Sequence, residues 1–362
     1  MTLTDPARRQ SRRNPASNTA FDIFSGCGGL TLGLKRAGFR VIGAVDIHEP
    51  SVSVYRANHP EVRVWQSDVL NLSASRIRRE LRLRLGQLDL LAGCPPCRAF
   101  STLRTLNGGQ SVRDSEKDLL FQILRFVKAL RPKAVMIENV PGLAADKRIV
   151  VFCAKLAQLG YESEVRVLDA ADYGVPQRRR RMILLANRKR PVKFARPGRV
   201  RLTVEDAIRG LPNPGTSGDA LHDFPERHNE LTLRRIQSIP QDGGSRGDLP
   251  RRRQLACHQK CDGFRDVYGR MSWRDVAPTI TTGCFNPSKG RFLHPTSDRA
   301  ITMREAAILQ GFPQGYRFPE IKSKSMAATM IGNALPPPFI ARHARCLRTR
   351  LEALPRNQTE RP

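Results

Sequence analysis

Aromatic side chains are scarce in this chain, 6% of 362 residues with two Trp. Stacking on unpaired bases leans on aromatic platforms, so it is not the obvious mode here. Acids are short as well: 33 Asp and Glu stand against 62 Lys and Arg, which leaves a formal charge of +29. Long apolar runs are missing. The longest are of strand length, far below the roughly 20 residues of a bilayer span, and no membrane partner is expected. The opening segment "MTLTDPARRQSRRNPASN" is basic and polar with no apolar core behind it, and is not expected to act as a secretory signal. No repeat appears at solenoid periods. Eight cysteines (Cys27, Cys94, Cys97, Cys153, Cys257, Cys261, Cys284 and Cys346) without such a signal point to a reducing, cytoplasmic setting and away from a disulfide framework.

What is present fits a soluble globular chain, with 40% hydrophobic and 26% charged residues. The length suffices for one large α/β domain and a smaller one. Positive charge on this scale suits a nucleic-acid partner, because neutralising phosphates releases condensed counterions. An arginine-rich habit of a whole genome would give the same count.

Along the chain, "AFDIF" (20–24) is a short apolar strand running into the glycine-rich "SGCGGLTLGLKRAGF", whose Leu30, Leu34 and Ala37 keep helical spacing. "VIGAVDI" (41–47), "LDLLAG" (88–93), "AVMIEN" (134–139) and "RMILLAN" (181–187) are further strands, and "DLLFQILRFVKALRP" (118–132) is an amphipathic helix stopped by Pro132. Strands alternating with helices predict a largely parallel sheet covered on both faces. From about residue 191 the texture turns to Gly, Pro and Arg, which predicts an irregular basic region of short strands and loops over 191–298. Helical pattern returns near 302, where Thr302 and Glu305 form a capping-box signature.

Four places carry chemistry. The strand–glycine turn–helix around Gly26 and Gly28 lets backbone approach a ligand at a helix N-terminus. Asp46 ends the next strand at the distance suited to ribose hydroxyls, and Asp68 is placed to meet an adenine amino group. On these residues alone, a nicotinamide cofactor and S-adenosylmethionine both remain open. "GCPPCRAFS" (93–101) sets Cys97 past the end of a buried strand, with Pro95 and Pro96 stiffening the turn. Cys97 as nucleophile competes with a zinc site joining Cys94 and Cys97 to "CHQKC" (257–261). A thioredoxin-like pair fits worse, since that motif opens a helix and two prolines do not continue one. Glu138 ends another buried strand, where a carboxylate is costly unless protonated, paired or used. In "YGVPQRRRRMILLA", strand alternation turns Arg179 and Arg181 one way and Arg178 and Arg180 the other.

The blocks "DIFSGCGG", "PPCRAFS", "ENVPG", "QRRRR", "RAITMREAAILQGFP" and "GNALPPP", in this order, resemble the DNA cytosine-5 methyltransferase family. The resemblance spans about 20 to 345, apart from 191–270, and favours S-adenosylmethionine as cofactor. It implies an α/β fold: a Rossmann-like S-adenosylmethionine-dependent methyltransferase sheet with helices on both faces, plus a smaller, irregular, mostly β target-recognition domain. The expected division is a disordered basic arm (1–18), a catalytic and cofactor-binding domain (19–190), the target-recognition domain (191–298), a C-terminal part of the catalytic domain (299–352) and a polar tail (353–362). Within the recognition domain, "RMSWRDVAPTITTGCFNPSKGRF" (270–292) is the foremost segment for DNA contact.

The resemblance also assigns roles. Phe24, Gly26, Asp46, Asp68, Val69 and Pro96 are expected to line the cofactor pocket, joined by Asn333 and Ala334. Cys97 becomes the nucleophile, with Glu138 and Arg181 holding the target base and Arg179 supporting the site. Gln177 anchors the arginine block, while Arg304 and Glu305 are mainly structural. Ser101 and Arg98 are expected at the DNA, Arg98 standing where the family usually has Gln. Cys94 reads as a passenger. The implied reaction is methylation of carbon 5 of cytosine in a specific double-stranded DNA sequence, by addition of Cys97 to carbon 6 of a flipped-out base, with no metal. The polar stretch after Ser101, hinged at Gly108–Gly109, is expected to close over that base. A monomer is expected, with a cognate restriction endonuclease as a partner. The alternatives are a transfer-RNA cytosine-5 methyltransferase, whose Cys-Phe-Thr signature this chain replaces with Cys284-Phe285-Asn286, and a non-catalytic DNA-binding regulator.

Overall fold

The computed structural model describes residues 18–96, 119–254 and 266–352. Seven strands, β1 (Thr19–Ile23), β2 (Arg40–Asp46), β3 (Arg63–Gln66), β4 (Leu90–Gly93), β5 (Ala134–Asn139), β6 (Glu162–Asp169) and β7 (Arg180–Asn187), form one sheet in the order β3-β2-β1-β4-β5-β7-β6. The strands from β3 through β5 are parallel, as the alternation of elements predicts. The last hairpin departs from that rule, because β7 runs antiparallel to both β5 and β6. Its cause is connection length: the short turn through Ala170–Tyr173 cannot hold the crossover helix that parallel strands need.

Helices α1 (Gly29–Arg36), α2 (Glu49–Asn58), α3 (Ala74–Glu80), α4 (Leu119–Leu130) and α5 (Lys147–Gln158) link the strands. Alternation within each strand sends neighbours to opposite faces. Ala20, Ala92 and Met136 face one core with Leu30 and Leu34 of α1, whereas Phe21, Leu91, Val135 and Ile137 face the other with Ile77, Phe126 and Phe152. The chain steps outward from β1 to β3, then returns to place β4 on the other side of β1. That reversal opens a crevice beyond the C-terminal ends of β1 and β4, where open α/β sheets bind ligands.

The last third returns to this sheet through α8 (Met303–Leu309), α9 (Lys324–Asn333) and α10 (Pro337–Glu352), which follow the short α6 (Val204–Ile208) and α7 (Glu230–Gln237). Helix α10 packs on α1 so closely that a Cβ at Gly33 would meet Ile340 at 2.6 Å. Thr302 and Glu305 form the capping box read from the sequence.

Among the described residues between 191 and 298, the expected short strands are present only as isolated bridges, Arg270 to Leu293 and Gln177 to Ala277 among them, between helical turns. Gly and Pro, both poor strand formers, interrupt this stretch throughout. Phe194 packs with the core beneath α10, touching His343. Val204, Ile208, Met271, Ile280 and Cys284 share a core with Met303, Leu309 and Met330, while Ile236, Ile239, Leu249, Val267, Tyr268 and Leu293 form a small cluster of their own. Among the described residues, no helix is long and apolar enough to cross a membrane.

Candidate active site

The glycine turn after β1 is strained by design. Phe24 holds φ 64°, a left-handed conformation that bulky residues rarely adopt outside functional sites. Gly26 also has positive φ, and a Cβ there would meet nothing within 4 Å, so its front is open. Gly28 differs. A Cβ on it would meet the Tyr316 hydroxyl at 2.6 Å and the His59 ring at 2.7 Å, so Gly28 serves close packing behind the turn. Tyr316 donates to the Cys27 carbonyl at 2.6 Å, and His59 lies 3.1 Å from Tyr316. Burial, then the neighbouring Lys35 charge, holds His59 down at about 4, and it stays neutral. Cys27 is buried, its thiol pushed up to about 12 and directed at the Met330 carbonyl.

Asp46, at the end of β2, accepts from the Gly26 N–H at 2.7 Å and the His48 N–H at 2.8 Å. The same carboxylate thus shapes the turn and keeps lone pairs for hydroxyl donors. Asp68 caps the helical turn Val69–Asn71 through the Leu70 N–H, with Val69 buried beneath. Ile47 and Leu70, 64% and 38% exposed, flank these two acids. Neither is singled out by the sequence reading, yet an apolar residue directly after the strand-ending Asp46 is a signal that reading contains. From the far end of the chain, the Leu335 carbonyl comes within 2.5 Å of where a Gly29 Cβ would stand, bringing Ala334 and the exposed Asn333 to the rim.

Glu138 sits on β5, buried at 3% exposure. The register Ala92 to Met136 between β4 and β5, continued by two residues, sets Cys94 beside it. Cys94 donates its S–H to Glu138 Oε2 at 2.9 Å, a contact the sequence reading does not contain. On the other side Glu138 pairs with Ile183, and Arg181, two residues along β7 on the same face, brings its Nε to 3.0 Å from Oε1. That contact is an ion pair off the hydrogen-bond angle, and among the described residues Oε1 has no hydrogen-bond partner. Asn139 donates to the Pro95 carbonyl at 3.0 Å, anchoring the Pro95–Pro96 turn. Cys97, Arg98, Ser101, the Gly108–Gly109 loop and the Cys257–Cys261 stretch lie outside the described residues, as do the basic arm through residue 17 and the tail from 353.

The arginine block alternates as strand geometry requires: Arg179 is buried and Arg181 half-buried, while Arg178 and Arg180 are exposed. Arg179 donates to the carbonyls of Ile280 at 2.9 Å, Gly332 at 2.8 Å and Ala334 at 3.3 Å. Burial first, and the adjacent Arg181 charge second, lower it to about 9. Gln177 reinforces the junction, donating to Leu309 and Gln310 and accepting from the Ile280 N–H. Arg304 is buried against Asp219 and the Tyr316 carbonyl, and Glu305 against Arg299. In the 270–292 segment, Arg270, Met271, Ile280, Cys284 and Phe292 are buried, whereas Thr281 and Thr282 are exposed beside the Arg179 junction.

Comparison with known proteins agrees with this geometry. A family profile described as C-5 cytosine-specific DNA methylase matches residues 19–348. The type II methylase M.HgiDII of Herpetosiphon aurantiacus is 36% identical over 358 residues, covering 94% of this chain and 98% of its own. The type II methyltransferase M1.HphI of Haemophilus parahaemolyticus is 32% identical over 329 residues, covering 89% and 84%. Among solved structures, a putative DNA modification methyltransferase encoded within a prophage (E. coli) aligns with TM-score 0.67 and 26% identity, over 93% of this chain and 100% of that one. The S. pombe Dnmt2 methyltransferase aligns with TM-score 0.59 at 16% identity, over 93% and 99%, and shares the fold. The chain belongs to the C-5 cytosine-specific DNA methylase family.

Proposed function

We propose that this enzyme methylates carbon 5 of cytosine within one short double-stranded DNA motif, with Cys97 as nucleophile and Glu138 and Arg181 gripping the flipped base. The observation that carries the reading is the buried Glu138 carboxylate, flanked by Arg181 and with one oxygen that no described residue hydrogen-bonds, at the C-terminal edge of the sheet. An unsatisfied buried carboxylate oxygen is costly and is retained where a ligand completes it.

The family uses S-adenosylmethionine as methyl donor, which supplies an electrophilic sulfonium methyl group. The crevice suits it. Gly26 leaves room, Phe24, Ile47 and Leu70 offer apolar faces, and Asp46 and Asp68 offer acceptors for ribose hydroxyls and an amino group. Val69, Pro96, Asn333 and Ala334 complete the expected lining, while Gly28 supports the turn from behind.

Cytosine carbon 5 is too weak a nucleophile unaided. Addition of the Cys97 thiolate to carbon 6 pushes electron density to carbon 5 and splits one hard step into easier ones. Glu138, sharing a proton with ring nitrogen 3 and accepting from the exocyclic amine, stabilises the adduct. Once carbon 5 carries the methyl group, loss of its proton to solvent expels Cys97 as the thiolate and restores the ring. Extruding the base costs a few kcal/mol, which backbone contacts offset. The region between 191 and 298 is the target-recognition part in this reading, with Thr281 and Thr282 at its exposed rim. The type II names of the relatives support a modification role alongside a restriction endonuclease of the same specificity.

Bisulfite sequencing of DNA from cells expressing the protein tests this directly. One short, fully modified motif that Cys97→Ala abolishes is the expected result. Unmodified cytosines with the intact enzyme overturn it. DNA carrying 5-fluorocytosine forms a covalent adduct with the protein in this reading, and RNA does not.

A further inference from the structure

We propose that Cys94 is a positioning residue: its S–H donates to Glu138 Oε2 and thereby presents Oε1 to the target base. This rests on the reading of Glu138 as the residue that grips that base. The arrangement follows from register. Two parallel strands carry Ala92 opposite Met136, and two residues further along, on the same face, the thiol and the carboxylate stand side by side. The sulfur lies 2.9 Å from the oxygen, a close contact with the thiol as the donor.

Among the described residues, the charged and titratable groups facing Glu138 are Cys94 from β4, Arg181 from β7, and Arg179 from the turn into β7. Arg181 approaches Oε1 as a charge without a hydrogen bond, and Arg179 is committed to backbone carbonyls. Cys94 is therefore the side chain that fixes the carboxylate's rotation by a directed bond. A space-filling residue needs no such aim.

A second thiol three positions before a nucleophilic cysteine is a hazard if it ionises. Here burial, and after it the Glu138 carboxylate, push the Cys94 thiol well above its usual range. It remains a donor and does not compete for the base.

The test uses the full chain with tritium-labelled S-adenosylmethionine and unmethylated plasmid DNA. Cys94→Ala and Cys94→Val, which remove the donor with and without leaving space, are expected to lower kcat by about tenfold, the loss of one hydrogen bond to a charged group. KM for DNA is expected to stay within about twofold. Cys94→Ser, which keeps a donor, is expected to recover most of kcat. Parental kcat in the Ala and Val variants, a Ser variant as slow as Ala, or a change confined to KM would each overturn the proposal. An infrared measurement covers the case of a poorly folded variant. The S–H stretch lost in Cys94→Ser is expected at low frequency in the intact protein and higher in Glu138→Gln, whereas a free-thiol frequency in the intact protein overturns the bond. An intact enzyme that incorporates no label would instead sink the reading of the site on which this proposal stands.

Discussion

In the sheet, backbone carbonyls meet N–H groups on neighbouring strands; around Arg270, carbonyls from separate loops meet one guanidinium. Arg270 is 1% exposed, and donates to Ile236, Ile239, His294 and Ser297 carbonyls at 2.6 to 3.1 Å while pairing with Asp298. Arg291 does the same for Gly243, Gly244 and Arg270 itself. Where the sequence cannot sustain a ladder, a forked cation with five donors replaces it. The lesson concerns charge. Of the 62 Lys and Arg residues, Arg270, Arg291, Arg304 and Arg179 are committed to carbonyls within the molecule, so the count of basic residues overstates what faces outward.

Four experiments test whether the two regions differ in this way. Phe21→Ala strikes the sheet, where Phe21 is fully buried and stacks on Phe126 with ring centres 6.2 Å apart. It is expected to cost roughly 3–5 kcal/mol and to lower the urea midpoint of the whole chain. Arg270→Met keeps the length and removes every donor. Its expected cost is about 2–4 kcal/mol, appearing as protease cleavage between 230 and 298 while the sheet's melting is retained. If cleavage and sheet melting coincide, the two regions are one cooperative unit and the contrast fails.

Acid provides a third probe. Burial holds His343, beneath the sheet, and His294, in the arginine-tied region, near 4 against a usual 6.5. The unfolded chain then binds more protons between those values, so stability is present above about pH 6.5 and falls as pH drops toward 4. His343→Phe, set among Tyr173, Phe194 and Phe339, is expected to flatten the sheet's share of that fall by roughly 2 kcal/mol in pH-dependent thermal melts. The smallest effect is expected from Thr302→Ala, which removes the capping box at α8 and about 1 kcal/mol of stability by urea titration.

Much of the sheet is legible in the sequence because its central strands are buried on both faces and read as unbroken apolar runs, "LDLLAG" and "AVMIEN" among them. The edge strands escape. "RVWQ" and "ESEVRVLD" are only partly buried, so charges interrupt the run and no apolar signal survives. Strand direction is invisible for another reason: the apolar pattern of β7 reads the same whether it runs up or down. In the site, Glu138 and Arg181 stand out because charge at the end of a buried strand is anomalous. The contact of Cys94 with Glu138 is hidden, since it depends on the register between β4 and β5, which neither strand's own sequence specifies.

The reach of Arg179 bears on how the enzyme comes into being on the ribosome. Its acceptors lie 101, 153 and 155 residues downstream of it, so a nascent chain that has already emitted the arginine strand still lacks that cation's native partners. Translation must run almost to its end before the pocket wall closes. A product that ends before residue 332 lacks the two carbonyls that tie the arginine strand to the end of α9.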